Sequence, residues 1–183
     1  MLPDGYLVRE VELSDADALC AALIRNREHL SPREPTRPES YFTPGGQEDD
    51  VRARLGARAA GLGGTWVVVL RDDIVGRVTL SNVARGPFQS CNLGYWVDQD
   101  HTGRGLATAA VTAACDAARA WGLHRVEAGT LPDNPASQAV LLKCGFAEFG
   151  LAPEYLLIAG EWRDHRLFQR ILHRSSVVQH PTA

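Results

Sequence analysis

Residues 92–97 read as a strand and residues 125–130 as a second one. Between them, 103–121 carries Leu106, Ala110, Ala113, Ala114, Ala117 and Trp121 at helical spacing. Strand, helix and strand in this order read as a βαβ unit, so the two strands are expected to run parallel. Around this unit, alternating, β-branched or aromatic runs predict strands over 7–13, 65–70, 74–80, 154–158 and 161–172. The turn Arg71-Asp72-Asp73 makes neighbours of two of them. Ser14 reads as the N-cap of a helix ending near Leu30, with Asp15 and Asp17 in its first turn. Further helices are expected over 47–60, stopped by Gly61, Gly63 and Gly64, and over 135–143. The order β-α-α-β-β-β-α-β-α-β-β predicts an α+β fold with a mixed, mainly antiparallel sheet flanked by helices. The proline-broken stretch 31–44 cannot be regular helix. With the loop 81–88 it is expected to form the entrance for a substrate.

The makeup of the chain excludes several other classes. Its 183 residues are 45% hydrophobic and 22% charged, which is enough for one self-sufficient core and unlike a disordered chain. One domain over 1–174 is expected, with a frayed tail at 175–183. A net charge of −3 offers no basic field for nucleic acid or an anionic membrane. Cys20, Cys91, Cys115 and Cys144 form no metal-ligand spacing and read as buried free thiols of a reducing compartment. No signal-peptide pattern and no run long enough to span a bilayer is visible, so a soluble, cytoplasmic protein is expected, without a metal.

The chemistry concentrates in Val97-Asp98-Gln99-Asp100-His101-Thr102-Gly103-Arg104-Gly105-Leu106-Ala107. Here a strand ends in a glycine-bearing loop and a helix begins at once. Gly103, Gly105 and Ala107 let a ligand approach the backbone. The free N–H groups of the helix's first turn and its dipole favour an anion there, and Arg104 can add a charge-assisted bond. This predicts a pyrophosphate cradle. The segment lacks the Lys-Ser/Thr of a Walker loop, and its spacing is not that of a Rossmann fingerprint. Downstream, Asn134 is a strong N-cap, Pro135 suits a first helical position, and Gly145 a C-terminal stop followed by Phe146.

Thr102 to Ala107 resembles the pyrophosphate signature of the GNAT N-acetyltransferases, and Asn134 to Phe146 resembles that superfamily's Asn-x-x-Ala/Ser…Gly-Phe segment. Three further stretches are similar to the RimJ/RimL-type ribosomal-protein-alanine N-acetyltransferases. They are Ser81-Asn82-Val83-Ala84-Arg85-Gly86, Leu93-Gly94-Tyr95, and Tyr155 through Glu161-Trp162 to His165. Asn26-Arg27-Glu28-His29-Leu30 adds to the likeness.

The resemblance implies a GNAT fold whose sheet splays into a V between its two parallel strands, with acetyl-CoA in the gap. It implies backbone contacts to pantetheine from Trp96 and Val97, and a cofactor cradle of Thr102, Gly103, Arg104, Gly105, Leu106 and Ala107. Asn134 and Ser137 would face the pantetheine arm. The superfamily's usual tyrosine acid is replaced by Leu141, and the resemblance implies Ser137 as the catalytic acid instead. Thr102 stands where the family more often has Gln or Arg, and Asn92 where several relatives have a Glu. The base is left open among Glu127, Glu154, Glu161, Asp164 and His165, or a water chain. Tyr95 and Trp96 must face opposite sides of their strand, so only one can enter the cleft. His101 reads as a surface histidine beside the cradle.

The implied activity is acetyl transfer to a primary amine, foremost a protein N-terminal α-amine. The alternatives are a small-molecule amine (an antibiotic or aminoacyl compound) and a non-catalytic CoA-binding domain. The oligomeric state is open, a homodimer included.

Overall fold

The computed structural model describes residues 2–173, so the expected tail at 175–183 lies outside the described residues. Seven strands form one sheet in the order β1-β2-β3-β4-β5-β7-β6. They are β1 (Tyr6–Glu10), β2 (Gly64–Leu70), β3 (Asp73–Ala84), β4 (Ser90–Val97), β5 (Arg125–Thr130), β6 (Ala147–Ile158) and β7 (Glu161–Ile171). The helices are α1 (Ala16–Arg25), α2 (Arg27–Leu30), α3 (Pro44–Ala59), α4 (Leu106–Ala120) and α5 (Pro135–Lys143). Every strand pair is antiparallel except β4–β5, the pair that the crossover through α4 predicts.

The helices divide between the two faces of the sheet, and each face has its own core. On one face α4 turns Leu106, Ala110, Val111, Ala114, Cys115 and Ala118 onto the sheet, where small residues bring helix and strands close. On the other, Leu19 and Leu23 of α1 and Val51 of α3 pack on Val67, Val69, Ile74 and Trp96. β2 is buried along nearly its whole length because it lies inside the sheet under both layers. All four cysteines are buried and free. No helix among the described residues is long and apolar enough to cross a membrane.

Element boundaries depart from the sequence expectation where side chains reach beyond their own segment. Ser14 does not cap α1. The chain instead makes a 3-10 turn over Leu13–Asp15, and a box between Glu12 and Asp15 closes it. Asp15 is fixed there by Arg9, 2.6 Å away, whose charge makes this carboxylate the stronger anchor. α3 starts at Pro44 and not near 47, because Thr43 accepts the Gly46 N–H and Pro44 fits the first turn. β3 runs on to Ala84 through an irregularity between Ser81 and Ala84, so half of the expected 81–88 loop is strand. β6 starts at Ala147 and not near 154, since two bulges let it follow β7 along its length.

Candidate active site

The parallel pair β4–β5 is bonded only at its beginning, Ser90↔Arg125, Cys91↔Val126 and Asn92↔Glu127. Beyond these residues each strand keeps its outer neighbour, β3 for β4 and β7 for β5, and the two diverge. The sheet therefore opens into a V between 93–97 and 128–130. Asp98 donates its N–H to Val75 of β3, 2.9 Å away. Alternation along an antiparallel ladder then turns the backbone groups of Trp96 and Gly94 toward β3, and those of Leu93, Tyr95 and Val97 into the gap. The 3.0 Å approach of the Trp96 carbonyl to the position of a Cβ on Gly76 agrees.

Of the two residues expected to hold pantetheine through the backbone, Val97 thus faces the gap, while Trp96 is engaged with Arg77 in the ladder. The Trp96 side chain is buried on the α1/α3 face, and its Nε1 has no hydrogen-bond partner among the described residues. Asn92 and Gly94 share that face with it, and a Cβ on Gly94 would meet nothing within 4 Å.

At the open end of β4 the cradle is assembled from the side. Asp98, wholly buried, accepts from Arg25 Nε at 2.7 Å, Asn26 Nδ2 at 2.8 Å and the Asp100 N–H at 3.0 Å. Burial alone would raise this carboxyl's pKa, but the bonds from Asn26, Asp100 and Arg25 outweigh it and hold it below the usual range. Asn26, itself buried at the junction of α1 and α2, also accepts the Gln99 N–H at 2.9 Å. The loop is in this way hung on α1. Thr102 spends its hydroxyl on the Gln99 carbonyl at 3.0 Å and is exposed.

Gly103 and Gly105 then adopt φ of +74° and +78°, and a Cβ on either would stand in open space. Gly105 precedes α4 with no side-chain cap, so the first-turn N–H groups of Leu106, Ala107 and Thr108 stay available. Leu106 contributes this backbone group only, its side chain being buried in the core. Arg104 lies over the loop, donating to the Asp100 carbonyl and to Tyr6 Oη, both at 3.2 Å. Tyr6 in turn bonds His101 Nδ1 at 2.8 Å, so His101 is a brace between β1 and the cradle. The uncapped helix end, the two open glycine positions and the neighbouring guanidinium fit a pyrophosphate.

Across the gap, α5 begins at Asn134, whose Oδ1 accepts the Ser137 N–H at 3.1 Å. That oxygen is occupied by the cap, and only the amide end of Asn134 remains for a ligand. Ser137 Oγ lies 2.8 Å from Tyr95 Oη, which is 3.1 Å from the Ser137 carbonyl. Burial pushes the Tyr95 hydroxyl up to about 12, although the bond with Ser137 pulls it down, so it stays protonated at neutral pH. Tyr95 is the member of the Tyr95–Trp96 pair that reaches the α5 side. Its role was not legible in the sequence, which gives no signal that a strand tyrosine meets a helix start over forty residues on.

The candidate bases are also sorted by the fold. Glu127 stands beside Asn92 at the apex of the V and is paired with Arg125 at 3.2 Å. Asn92 accepts from Asn82 Nδ2 at 3.0 Å. Glu154 and Glu161 are exposed, and Asp164 accepts the Glu154 N–H at 2.9 Å. His165 is buried on β7, next to Gly129 of β5.

Beyond β5 the β6–β7 ribbon continues alone, and its turn at Ala159 joins the proline-rich stretch in lining a cavity of about 390 Å³ with Leu30, Glu34, Pro35 and Phe42. Burial raises the Glu34 carboxyl's pKa against the lowering pull of Arg77, Arg37 and Arg54. Leu157 and Trp162 leave 45% and 62% of their surface exposed on the ribbon, an apolar surface outside the gap.

Residues 6–147 match the family described as acetyltransferase (GNAT) domain. The chain is 39% identical over 171 residues to the [ribosomal protein uS5]-alanine N-acetyltransferase of Escherichia coli (strain K12), covering 90% of this chain and 86% of that one. Among solved structures it superposes on a ribosomal-protein-S5-alanine acetyltransferase from Vibrio fischeri with a TM-score of 0.90, 35% identity and coverage of 95% and 97%. It superposes on Mycobacterium smegmatis RimJ in complex with CoA-disulfide with a TM-score of 0.86 and 34% identity, covering 91% of this chain and 81% of that one.

Proposed function

The chain belongs to the GNAT acetyltransferase family and is an N-acetyltransferase, and from that premise we propose that it moves acetyl from acetyl-CoA to the α-amine of a protein N-terminus, an N-terminal alanine of a ribosomal protein foremost. The observation that carries this reading is the open V whose mouth ends on an uncapped helix, in a chain so similar to enzymes named for uS5 alanine. In it, Val97, with Leu93 and Tyr95, offers backbone groups to the pantetheine arm. Gly103, Arg104, Gly105, Leu106 and Ala107 hold the pyrophosphate, chiefly through N–H groups, with Thr102 shaping the turn. Asn134 presents its free amide end to the same arm.

An α-amine fits this site chemically. Its reference pKa of about 7.7–8.0 leaves far more neutral nucleophile at pH 7 than a lysine at about 10.4. The gap holds amine and thioester together, which alone supplies much of the acceleration. The N–H groups of β4 that face the gap suit the carbonyl oxygen as it gains charge. Ser137 serves the departing sulfur. When Tyr95 donates to Ser137 Oγ, the serine hydroxyl proton is free to turn toward it. The apolar ribbon at Leu157 and Trp162 supports a macromolecular acceptor, for which a small amine would have no use.

The test is CoA thiol release from acetyl-CoA with Ala-initiated peptides, the same peptides with blocked N-termini, and a panel of small amines. Turnover restricted to free N-termini is expected. Turnover on small amines alone would overturn the acceptor, and CoA binding with no turnover on any amine would overturn the activity.

A further inference from the structure

In the reaction proposed above, the incoming ammonium must lose a proton before it can attack. Of the residues near the gap, the carboxylates are poorly disposed for this. Glu127 is tied to Arg125, Asp164 to the Glu154 backbone, and Glu154 and Glu161 are exposed on the ribbon. His165 differs on each count. It is 6% exposed, and alternation on β7 puts it on the same face as Leu167, the partner of Gly129. Asn92, Glu127 and Gly129 belong to that face too, the α1/α3 side of the V.

Gly129 is what gives the imidazole room over β5, the strand that borders the gap. A Cβ at Gly129 would stand 3.3 Å from His165 Cδ2, the carbon that adjoins Nε2. The ring's other edge is fixed, with Nδ1 3.0 Å from the Arg163 carbonyl. A carbonyl can only accept, so in the neutral imidazole Nδ1 bears the proton and Nε2 carries the lone pair. The Tyr155 ring, 5.5 Å away, covers the imidazole from β6. Arg163, which supplies the carbonyl, has its own charge met by Asp133 at 3.6 Å.

We propose that His165 Nε2 is the general base. It takes one proton from the acceptor ammonium. The amine lone pair then forms the bond to the acetyl carbon, the carbon–sulfur bond breaks, and its electron pair leaves on sulfur. As the carbon–sulfur bond breaks, the nitrogen sheds its second proton to water. The sulfur gains a proton from the Ser137 hydroxyl, which regains one from solvent, and the imidazolium returns its proton to water. One amide, one thiol and one free proton result. The assignment rests on acyl transfer in the gap and is indifferent to which amine is used.

His165→Asn is the informative variant, because its amide can keep the donor to Arg163 while nothing replaces Nε2. Its kcat should fall about 100-fold or more, the usual share of a general base, with CoA affinity and melting temperature unchanged. Gly129→Ala should lower kcat as well, by pushing the ring off the gap. Independently of activity, the nitrogen-15 spectrum of the ligand-free protein should give His165 as the Nδ1–H tautomer. A kcat for His165→Asn within threefold of wild type, or an Nε2–H tautomer, would overturn the proposal. A protein that acetylates only small amines would sink the N-terminal acceptor, yet His165→Asn must still slow it.

Discussion

The cradle hangs on one buried carboxylate, and Asp98→Asn tests how much depends on it. Asp98 Oδ2 accepts from Arg25 and Asn26 while Oδ1 accepts from the Asp100 N–H. However an asparagine amide is turned, its NH₂ confronts a donor, orphaning at least one buried group at about 1–3 kcal/mol. The bonds that survive also lose their charge. Arg25 is 39% exposed and partly screened, so its share belongs at the low end. The total is about 2–4 kcal/mol, below the ~5–15 kcal/mol of a typical domain, so the variant should fold. At about 2–4 °C per kcal/mol for a chain of this size, the melting temperature should drop by about 4–16 °C at pH 7.

The pH dependence follows from the direction of the shift. The folded Asp98 carboxyl lies below its unfolded value. Its contribution is therefore complete above the unfolded pKa, about 3.9, and is lost as pH falls through the folded one. Thermal melts of both proteins between pH 3 and 8 should give a full difference at neutral pH that narrows in acid, and CoA should bind the variant more weakly. A difference under about 1 °C at pH 7, or one that does not narrow in acid, would refute the reasoning.

Three further outcomes are expected. Gly105→Ala should cost only the positive-φ penalty, about 1–2 kcal/mol, because its Cβ meets no protein atom, yet it should weaken CoA binding at least tenfold by entering the cradle; unchanged affinity in a calorimetric titration would move the pyrophosphate elsewhere. Ser137→Ala should slow acetyl transfer with little change in CoA affinity, and Tyr95→Phe should slow it less, since it removes the bond that positions Ser137 but leaves the serine hydroxyl in place; equal rates for wild type and Ser137→Ala would remove the serine from the acid role. Glu34 has a folded pKa raised by burial, so its contribution is present below the unfolded value and lost as pH rises through the folded one. Glu34→Gln should therefore raise the melting temperature more at pH 7 than at pH 4, and a fall at pH 7 would mean that the attraction of Arg77, Arg37 and Arg54 dominates.

Most of the fold was legible because local rules and tertiary demands agree. β5 and α5 run from the first to the last residue expected of them, as the second strand of the βαβ unit and an Asn134-capped, Gly145-stopped helix. The turn from β4 into α4 was legible for the same reason: strand, glycines and helix are consecutive. Failures came where a long-range partner decides. Arg9 moves the start of α1 from Ser14 to the Glu12–Asp15 box, and β7 draws β6 back to Ala147. In the site, Asp98, Asn26, Tyr6 and Tyr95 were missed, since each acts through a partner far along the chain. Trp96 was misjudged because a strand's two backbone edges cannot be told apart without knowing which neighbour lies on which side.

The same partners explain how the V can be ready before any ligand arrives. A gap in a sheet leaves backbone groups unpaired on both strands, and nothing in β4 or β5 alone prevents them from closing on each other. The apex is fixed by the Asn92↔Glu127 pairing, and each arm is held from outside by a full antiparallel ladder. At the open end, Tyr95 reaches from β4 to the first turn of α5 and bonds Ser137. That strut sets the spacing of the arms and holds the proposed acid at the gap in one contact. Asp98 anchors the other side of the mouth to α1 and the residue that follows it, so the loop after β4 is held in place by bonds of the protein itself. Spacing, acid and cradle are therefore organised by bonds that the reaction does not consume. Preorganisation of this kind lets binding energy serve the transition state, because little of it goes to ordering the site.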